Sequence, residues 1–208
     1  MKILVSDFDG TLYDDKYEEN LEYIKSLKDI ELIVATGRDH ISLFNDFKLE
    51  SNYYILGDGS YIMNKKKKII YIKPIKKETC KILKERIKKL KYTKHWFISF
   101  NDDVAKLEVK IKDRETAEND LKYMIDGLDD VYGYLSRNWI NIIDNNAKKE
   151  IAIEYLDSIN NYEKIYTVGD GKTDYGMIQK YNGYLITNEK KKEFNCINSF
   201  LELKNIIK

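Results

Sequence analysis

The first twelve residues combine an apolar strand with an acidic turn, and this combination constrains the fold more than any other part of the chain. The apolar run from Ile3 to Val5 predicts a strand buried inside a parallel sheet. It ends at Asp7 and Asp9, and Gly10 and Thr11 then break the strand. In a doubly wound α/β sheet, ligands bind beyond the carboxyl ends of the strands. We therefore expect both carboxylates at the mouth of a site.

This pair of carboxylates is suited to phosphoryl transfer. With an ordinary pKa of about 3.9, Asp7 is an anionic nucleophile at neutral pH and can attack phosphorus. Asp9 can protonate the departing alkoxide and later take a proton from the hydrolytic water. The segment from Asp7 to Leu12, Asp-Phe-Asp-Gly-Thr-Leu, resembles the first motif of the haloacid dehalogenase-like superfamily.

A second buried strand, Glu31 to Ala35, ends in Thr36-Gly37-Arg38. A hydroxyl group and a backbone turn at a strand end suit a phosphate oxygen. In the resemblance, Thr36 is the phosphate ligand of the second motif, and Thr-Gly-Arg is typical of the Cof-like (type IIB) branch. We expect Gly37 and Arg38, together with Gly10 and Thr11, to contact the phosphorylated substrate.

A third buried strand, Lys164 to Val168, ends in an acidic turn. Its continuation from Gly169 to Asp174, with Met177 beyond, resembles the fourth motif of the superfamily, although Thr173 stands where Asn is usual. Asp170 and Asp174 lie four residues apart across a glycine turn, a spacing suited to a hard cation. Oxygen ligands favour Mg²⁺. We expect Asp7 and Asp170 as direct ligands, the backbone carbonyl of Asp9 as a third, and Asp174 as a ligand or its support.

The remaining core motifs are less regular. A predicted helix from Ala147 to Leu156 matches the Cof-like lysine motif if Lys149 is the motif lysine and Lys148 replaces the usual serine; two adjacent lysines leave this choice open. Asn188 follows the last predicted strand, where the family often has an asparagine near the phosphate. The family usually carries Asn-Gly-Ala where this chain has Asp58-Gly59-Ser60, so a role for Asp58 is not assigned.

The middle of the chain predicts a separate α+β insert. After Pro74 the pattern gives two αββ units in succession, which form a small antiparallel sheet with helices on one face. The resemblance places a C2-type cap at this position. We therefore predict a Rossmann-like parallel-sheet core at 1–73 and 146–208, with a closing helix in the tail, and a cap at 74–145.

Alternation along the insert's strands divides the side chains between two faces. The apolar faces, expected under the two helices, include Trp96, Ile98, Phe100, Leu107, Val109, Ile111, Val131 and Leu135. An open face is expected to carry Phe97, Ser99, Lys106, Glu108, Tyr132, Tyr134, Trp139 and Asn141. We expect Lys106 and Trp139 to bind a sugar-like leaving group; the alternative is that these are ordinary exposed strand residues.

The composition limits the kinds of partner that the protein is expected to bind. The 36 Lys and Arg balance 35 Asp and Glu, so no net field favours nucleic acid. Two distant cysteines, Cys80 and Cys196, have no metal-ligand spacing and favour a reduced cytoplasmic protein. No apolar stretch approaches the length of a membrane span or a signal peptide. We expect a small phosphorylated substrate as the partner, and a monomer or weak dimer.

These observations together predict a Mg²⁺-dependent phosphatase that acts on small phosphomonoesters, such as sugar phosphates, through an aspartyl-phosphate. A haloacid dehalogenase has no need of Asp9, because halide leaves unprotonated. In a receiver domain the acidic pair is normally adjacent and no cap is inserted. A phosphomutase or phosphotransferase on the same scaffold ranks second. A non-catalytic phosphate-binding protein would be expected to have lost Asp7 or Asp170, and an α/β domain whose carboxylates are only caps is the remaining alternative.

Overall fold

The computed structural model describes residues 1–207, and these form two compact units. The first unit combines Met1–Tyr71 with the chain from Lys148 onward, and the second is Ile72–Ala147. The observed boundaries thus lie close to those predicted at 73/74 and 145/146. The role of the second unit as a cap stays a prediction.

The first unit is built on one eight-stranded sheet. In sheet order its strands are β12 (Asn195–Ile197), β11 (Tyr184–Ile186), β10 (Lys164–Gly169), β1 (Lys2–Ser6), β2 (Ile30–Ala35), β3 (Tyr53–Leu56), β4 (Tyr61–Asn64) and β5 (Ile69–Ile72). The strands from β12 to β3 are all parallel, and β4 runs antiparallel to β3. This sheet confirms the predicted α/β fold class.

Four helices accompany this sheet: α1 (Tyr17–Ser26), α2 (His40–Asp46), α5 (Lys149–Asn160) and α6 (Tyr175–Lys180). Helix α5 presents Ala152, Ile153 and Leu156, at helical spacing, to the buried residues of the parallel strands. Helix α2 begins where the Asp39 side chain accepts hydrogen bonds from the backbone N–H groups of Ile41 and Ser42. None of the helices within residues 1–207 is both long enough and apolar enough to cross a membrane.

The tail differs from the predicted closing helix. Strand β12 adds a further parallel strand to the sheet, and a 3₁₀ helix at Phe200–Asn205 follows it. A strand of three residues is too short for alternation to reveal it. Phe200 and Leu203 are both buried three residues apart, which matches the 3₁₀ repeat rather than a longer amphipathic helix.

The second unit has the predicted αββαββ order. Its elements are α3 (Lys77–Leu90), β6 (His95–Phe100), β7 (Asp103–Lys110), α4 (Arg114–Ile125), β8 (Val131–Ser136) and β9 (Trp139–Asp144). The strands form an antiparallel sheet in the order β6-β7-β9-β8. Leu107, Val109, Ile140 and Ile142 share one face of this sheet and pack with Leu83 and Ile87 of α3 and Met124 of α4.

The predicted faces of β6 are wrong by one residue. Phe97 lies opposite Leu107 and packs with the buried cluster under the helices, while Trp96 lies opposite Glu108 on the other face. Lys84 of α3 lies 5.2 Å from the Phe97 ring, as expected on the helix side. Both faces of β6 carry aromatic or aliphatic residues, so alternation alone cannot choose between them. The pairing with β7, which also contains an irregularity after Ile98, decides the register.

This register predicts different costs for truncating two adjacent aromatic residues. Phe97→Ala should lower the free energy of unfolding by about 2 kcal/mol, because it removes a partly buried ring from the packed face. Trp96→Ala should cost less than about 1 kcal/mol, because Trp96 is 49% exposed and its ring packs against Trp139 rather than into the buried cluster. Denaturant unfolding of the two variants checks this order, and a larger loss for Trp96→Ala would contradict the register.

Candidate active site

Three neighbouring parallel strands end at one edge of the sheet. In β1, Ser6 lies opposite Val168 of β10 and Val34 of β2, so Asp7, Asp170 and Thr36 all follow within two residues of this level. The backbone N–H of Asp7 donates to the carbonyl oxygen of Val168 at 2.9 Å, which joins the start of the acidic turn to β10. The structure therefore places the ends of three predicted motifs together.

Lys149 lies at the centre of the acidic cluster. Its Nζ donates to Asp7 Oδ1 at 2.6 Å and to Asp174 Oδ1 at 2.7 Å, and Asp58 Oδ1 lies 4.0 Å away. Lys149 is the first residue of α5 and is buried, whereas the neighbouring Lys148 is exposed. Only Lys149, of the two candidate motif lysines, reaches the carboxylates.

Burial and charge shift the pKa values of these groups in identifiable directions. Burial raises the pKa of Asp7 well above its ordinary value, and the nearby Lys149 opposes this while Asp174 adds to it. Burial alone lowers the pKa of Lys149, but Asp174, Asp7 and Asp58 raise it to a net value above the ordinary one. Lys149 therefore stays charged, and the charged form of Asp7 is held in a costly environment.

The turn after β1 is shaped to approach Asp170. Gly10 has a φ of +80°, and a Cβ atom at this position would lie 2.5 Å from Asp170 Oδ2, so a larger residue does not fit. The Thr11 hydroxyl donates to Asp170 Oδ1 at 3.0 Å. Partial desolvation raises the pKa of Asp170, and this hydrogen bond lowers it. Gly10 and Thr11, predicted to contact substrate, thus shape and support the acidic cluster in this structure.

Asp174 mainly holds the surrounding backbone. Its Oδ2 accepts hydrogen bonds from the N–H groups of Gly171 at 2.9 Å and Asp170 at 3.2 Å, and its Oδ1 accepts from Lys149. Both oxygens therefore already have donors. Asp174 fixes the turn that carries Asp170 and also orients the Lys149 side chain.

The acidic cluster fits a divalent cation. Asp7, Asp170 and Asp174 can each offer a carboxylate oxygen, and these oxygens lie within 4.8 Å of one another. Asp7 and Asp174 are buried and Asp170 is exposed; carboxylates so close together repel one another, and Lys149 offsets only part of their charge. An all-oxygen donor set is the one Mg²⁺ prefers. Because both oxygens of Asp174 are engaged, Asp7 and Asp170 are the better direct ligands.

Asp58, to which the motifs assigned no role, lies beside the Thr36-Gly37-Arg38 motif. Asp58 follows β3 in a left-handed conformation (φ 56°) and is buried. A Cβ atom on Gly37 would lie 2.8 Å from Asp58 Oδ2, so the glycine permits this close approach. The Thr36 hydroxyl, also buried, accepts a hydrogen bond from the N–H of Arg38. The position of Asp58 just past a buried strand was the signal that could have placed it in the site.

Arg38, which was predicted to contact the substrate, forms an ion pair with another predicted site residue in this structure. Its guanidinium forms a two-point ion pair with Asp9, in which both nitrogen–oxygen distances are 2.7 Å. The predicted acid–base residue and a predicted substrate-binding residue are therefore partners of each other in this structure.

Three further residues were predicted to bind the substrate: Asn188, Lys106 and Trp139. Asn188 is exposed after β11, and the cluster's hydrogen bonds within residues 1–207 do not extend to it. Lys106, expected on an open surface, is instead 1% exposed and forms an ion pair with Glu108 at 2.8 Å. Alternation predicts only which face a residue takes, so it could not foresee this burial. Trp139 lies on the predicted face, next to Trp96.

The family assignment rests on the sequence as well as the site. The sequence model that describes haloacid dehalogenase-like hydrolases matches residues 4–131. The chain belongs to this family. The match confirms the resemblance drawn from the motifs. The chain is also similar to an uncharacterized protein from Mycoplasma capricolum. The two are 36% identical over 86 residues, which cover 36% of this chain and 32% of the relative. The aligned region thus spans about a third of that relative's length.

Solved structures of family members show the same fold. A haloacid dehalogenase-like hydrolase from Bacteroides thetaiotaomicron has a TM-score of 0.80 at 17% identity, and the match covers 100% of this chain and 99% of that one. An HAD subclass IIB sugar phosphatase has a TM-score of 0.74 at 18% identity, with 99% and 96% covered. At these identities the likeness establishes the fold, a Rossmann-like core with an additional antiparallel sheet.

The buried position of Asp7 predicts that this residue lowers stability. Asp7→Asn should raise the melting temperature of the metal-free protein at pH 7 by about 2–4 °C, or ~1 kcal/mol, because it removes a desolvated charge. Lys149 keeps Asp174 and Asp58 as partners in this variant.

The same substitution has a predictable dependence on pH. Because the pKa of Asp7 is raised in the folded state, the cost of its charge is full above that raised pKa and vanishes as pH falls toward the ordinary value of about 3.9. The difference in melting temperature between the wild type and Asp7→Asn should therefore shrink on acidification. Thermal unfolding across pH measures it, and a wild type that is more stable than the variant at pH 7 would contradict the account.

Proposed function

We propose that this chain is a phosphatase that hydrolyses small phosphomonoesters through an aspartyl-phosphate on Asp7. The observation that carries the proposal is the buried contact between Asp7 and Lys149 at the end of β1, beside Asp170. Membership of a hydrolase family supports hydrolysis. The sugar phosphatase among the similar structures supports a phosphate ester as the substrate class.

In the proposed reaction, a carboxylate oxygen of Asp7 attacks phosphorus and the bond to the leaving oxygen breaks. Asp9 gives its proton to that oxygen as the alcohol departs. Asp9 then takes a proton from water, and the water oxygen attacks the phosphorus of the aspartyl-phosphate. Inorganic phosphate leaves and the Asp7 carboxylate is restored. Lys149 holds Oδ1 of Asp7, which orients the other oxygen for the attack.

We further propose that the acidic cluster holds Mg²⁺, with Asp7, Asp170 and the backbone carbonyl of Asp9 as ligands and Asp174 as their support. When bound, the cation supplies positive charge that offsets the repulsion between the carboxylates and a phosphate dianion. Thr36 and Lys149 remain our candidates for contacts with the phosphate oxygens. The N–H group of Arg38 already bonds to the Thr36 hydroxyl, which fixes the turn around it.

We propose that the organic part of the substrate contacts aromatic residues on the sheet face of the second unit that carries Trp96, Tyr132 and Trp139. Trp139 packs edge-on against Trp96 with ring centres 5.3 Å apart, and Tyr132 stacks on Tyr134 at 5.7 Å. Trp96 and Tyr132 remain about half exposed. Flat aromatic surfaces with nearby polar groups are typical of sites that hold sugar rings. A sugar phosphate is therefore the substrate class that we propose.

A phosphatase assay with two asparagine variants tests the nucleophile. Asp7→Asn should lower kcat on p-nitrophenyl phosphate on the order of a thousandfold or more, because an amide is a poor nucleophile. Asp15→Asn is the matched control, since Asp15 is exposed in the same loop region, and it should keep wild-type activity. Substantial activity in Asp7→Asn, with a melting curve that shows a folded protein, would refute the mechanism.

Removal of the metal provides a second test. Activity should be lost in excess chelator and return with Mg²⁺. Independently of activity, Mg²⁺ should raise the melting temperature of the wild type, because a ligand that binds the folded state stabilises it. Asp170→Asn should lose most of this thermal shift. Full activity in excess chelator, or an equal shift in both proteins, would argue against the site.

A further inference from the structure

Strand β6 lies at one edge of the sheet in the second unit. The order β6-β7-β9-β8 gives β6 a hydrogen-bonded neighbour on one side only. An edge strand presents a row of N–H and C=O groups on its open side, and a strand of another chain can pair with them. The value of this edge for binding therefore depends on which groups face outward and on what protects them.

A backbone hydrogen bond at the start of β6 identifies the first outward groups. The N–H of Lys110 donates to the carbonyl oxygen of Lys94 at 2.9 Å, so the backbone of Lys94 faces β7. In an antiparallel pair, successive residues direct their backbone groups to opposite sides of the strand. The N–H and C=O groups of His95 and Phe97 therefore point away from β7.

A second hydrogen bond gives the same answer at the other end of β6. Val104 lies opposite Ser99, but its carbonyl oxygen accepts from the N–H of Ile75 rather than from β6. The backbone groups of Ser99 therefore also point outward. Within residues 1–207, no hydrogen bond from another segment reaches the outward backbone groups of His95, Phe97 or Ser99.

The usual protections of an edge strand are missing from β6. It is six residues long, and its sequence, His-Trp-Phe-Ile-Ser-Phe, contains no proline and no acidic residue, lysine or arginine. The irregular pairing after Ile98 places its extra residue on β7, so β6 itself has no bulge. Other edges are better protected: β12 has only three residues, and on β5 the carbonyl oxygen of Ile70 accepts from the Tyr155 hydroxyl at 2.9 Å.

The two ends of β6 carry opposite charges. Lys94 precedes the strand and Asp102 follows it in the turn to β7, and both side chains are exposed. Neither forms an ion pair in the part of the chain that the structure describes. Strand β8, at the other edge of the same sheet, differs, because Asp130 before it already contacts Lys76 at 3.7 Å. The end charges of β6 are therefore left for a partner to compensate.

A second copy of β6 in antiparallel orientation is complementary to these charges. A two-fold axis places Lys94 of each copy near Asp102 of the other. Two further lysines, Lys110 and Lys112, line a recess of about 210 Å³ together with Lys94, so the end that receives the acidic turn is strongly cationic. A parallel pairing would place like charges side by side. Opposite charges on facing strands stabilise a pair and like charges destabilise it.

We propose that two copies of this chain associate through β6 in antiparallel orientation, so that their four-stranded sheets join into one continuous sheet. The outward N–H and C=O groups of His95, Phe97 and Ser99 supply the hydrogen bonds, and Lys94 and Asp102 set the orientation. Each copy contributes one short strand, so the contact is smaller than a standard stable interface. The dimer is therefore in reversible equilibrium with the monomer.

Sedimentation equilibrium of the full chain tests the association. The wild type should show a monomer–dimer equilibrium with a Kd on the order of 10–100 µM, as expected for a small interface. Ser99→Pro removes an outward N–H, and proline is tolerated on the open side of an edge strand, so the pairing with β7 is kept. This variant should raise Kd at least about tenfold. Ser99→Ala keeps the N–H, is the matched control, and should have the wild-type Kd.

Reversal of the end charges tests the orientation. Lys94→Asp and Asp102→Lys should each raise Kd about tenfold, because each creates two contacts between like charges in the dimer. Combined in one chain, the two changes recreate opposite charges, and Kd should return to within about threefold of the wild type. Lys66→Asp makes the same charge change in an exposed turn of the first unit and should leave Kd unchanged.

The outcomes decide the proposal without using the catalytic reaction. A wild type that stays monomeric up to about 1 mM would overturn it. A dimer that folded Ser99→Pro leaves intact would also overturn it, because the association would then use another surface. If Ser99→Pro does not fold, the charge variants decide: a double variant that dimerises no more tightly than the single variants would overturn the antiparallel pairing. An inactive chain that dimerises as described would contradict the proposed function and leave this inference standing.

Discussion

The buried ion pair between Lys149 and Asp7 is the interaction on which the rest of this site depends. Burying charges costs free energy unless each has a close partner. Lys149 meets this requirement by contacting Asp7 and Asp174 at hydrogen-bond distance, with Asp58 nearby. Asp174 in turn holds the turn that carries Asp170. One ammonium group therefore connects β1, α5 and the turn after β10.

The clustered carboxylates lower the stability of the folded protein and provide the groups that the proposed reaction needs. The fold concentrates several carboxylates at the edge of a parallel sheet, where burial raises the pKa of Asp7 and Asp170. A protein selected only for stability would avoid this repulsion. The glycines make the close approach possible: Gly10 admits Asp170, and Gly37 admits Asp58. The strain of the site is thus electrostatic, and it is the kind that a cation and a phosphate ester would relieve.

Much of the core followed from the sequence, because apolar strands that end in Asp7, Thr36 and Asp170 must bring those residues to one edge. The choice of Lys149 over Lys148 needed the structure, since adjacent residues at a helix start differ only in direction. Asp58 was left unassigned because this chain departs there from the family's usual Asn-Gly-Ala, and its approach to the site depends on a left-handed turn that the sequence does not reveal. The faces of β6 were predicted wrongly because both carry apolar residues. The pairing of Phe97 with Leu107, which decides between them, depends on how β6 and β7 align in the sheet. The contact between Arg38 and Asp9 joins two motifs that local patterns cannot relate.

The most direct test of the central claim is to identify the covalent intermediate. Turnover of a phosphomonoester with Mg²⁺ would be stopped rapidly in acid, and the digested protein examined by mass spectrometry. An aspartyl-phosphate mechanism predicts one added phosphoryl group on the peptide that contains Asp7, and none on the same peptide from Asp7→Asn. A phosphoryl group on any other residue, or an active enzyme that never becomes phosphorylated, would contradict it.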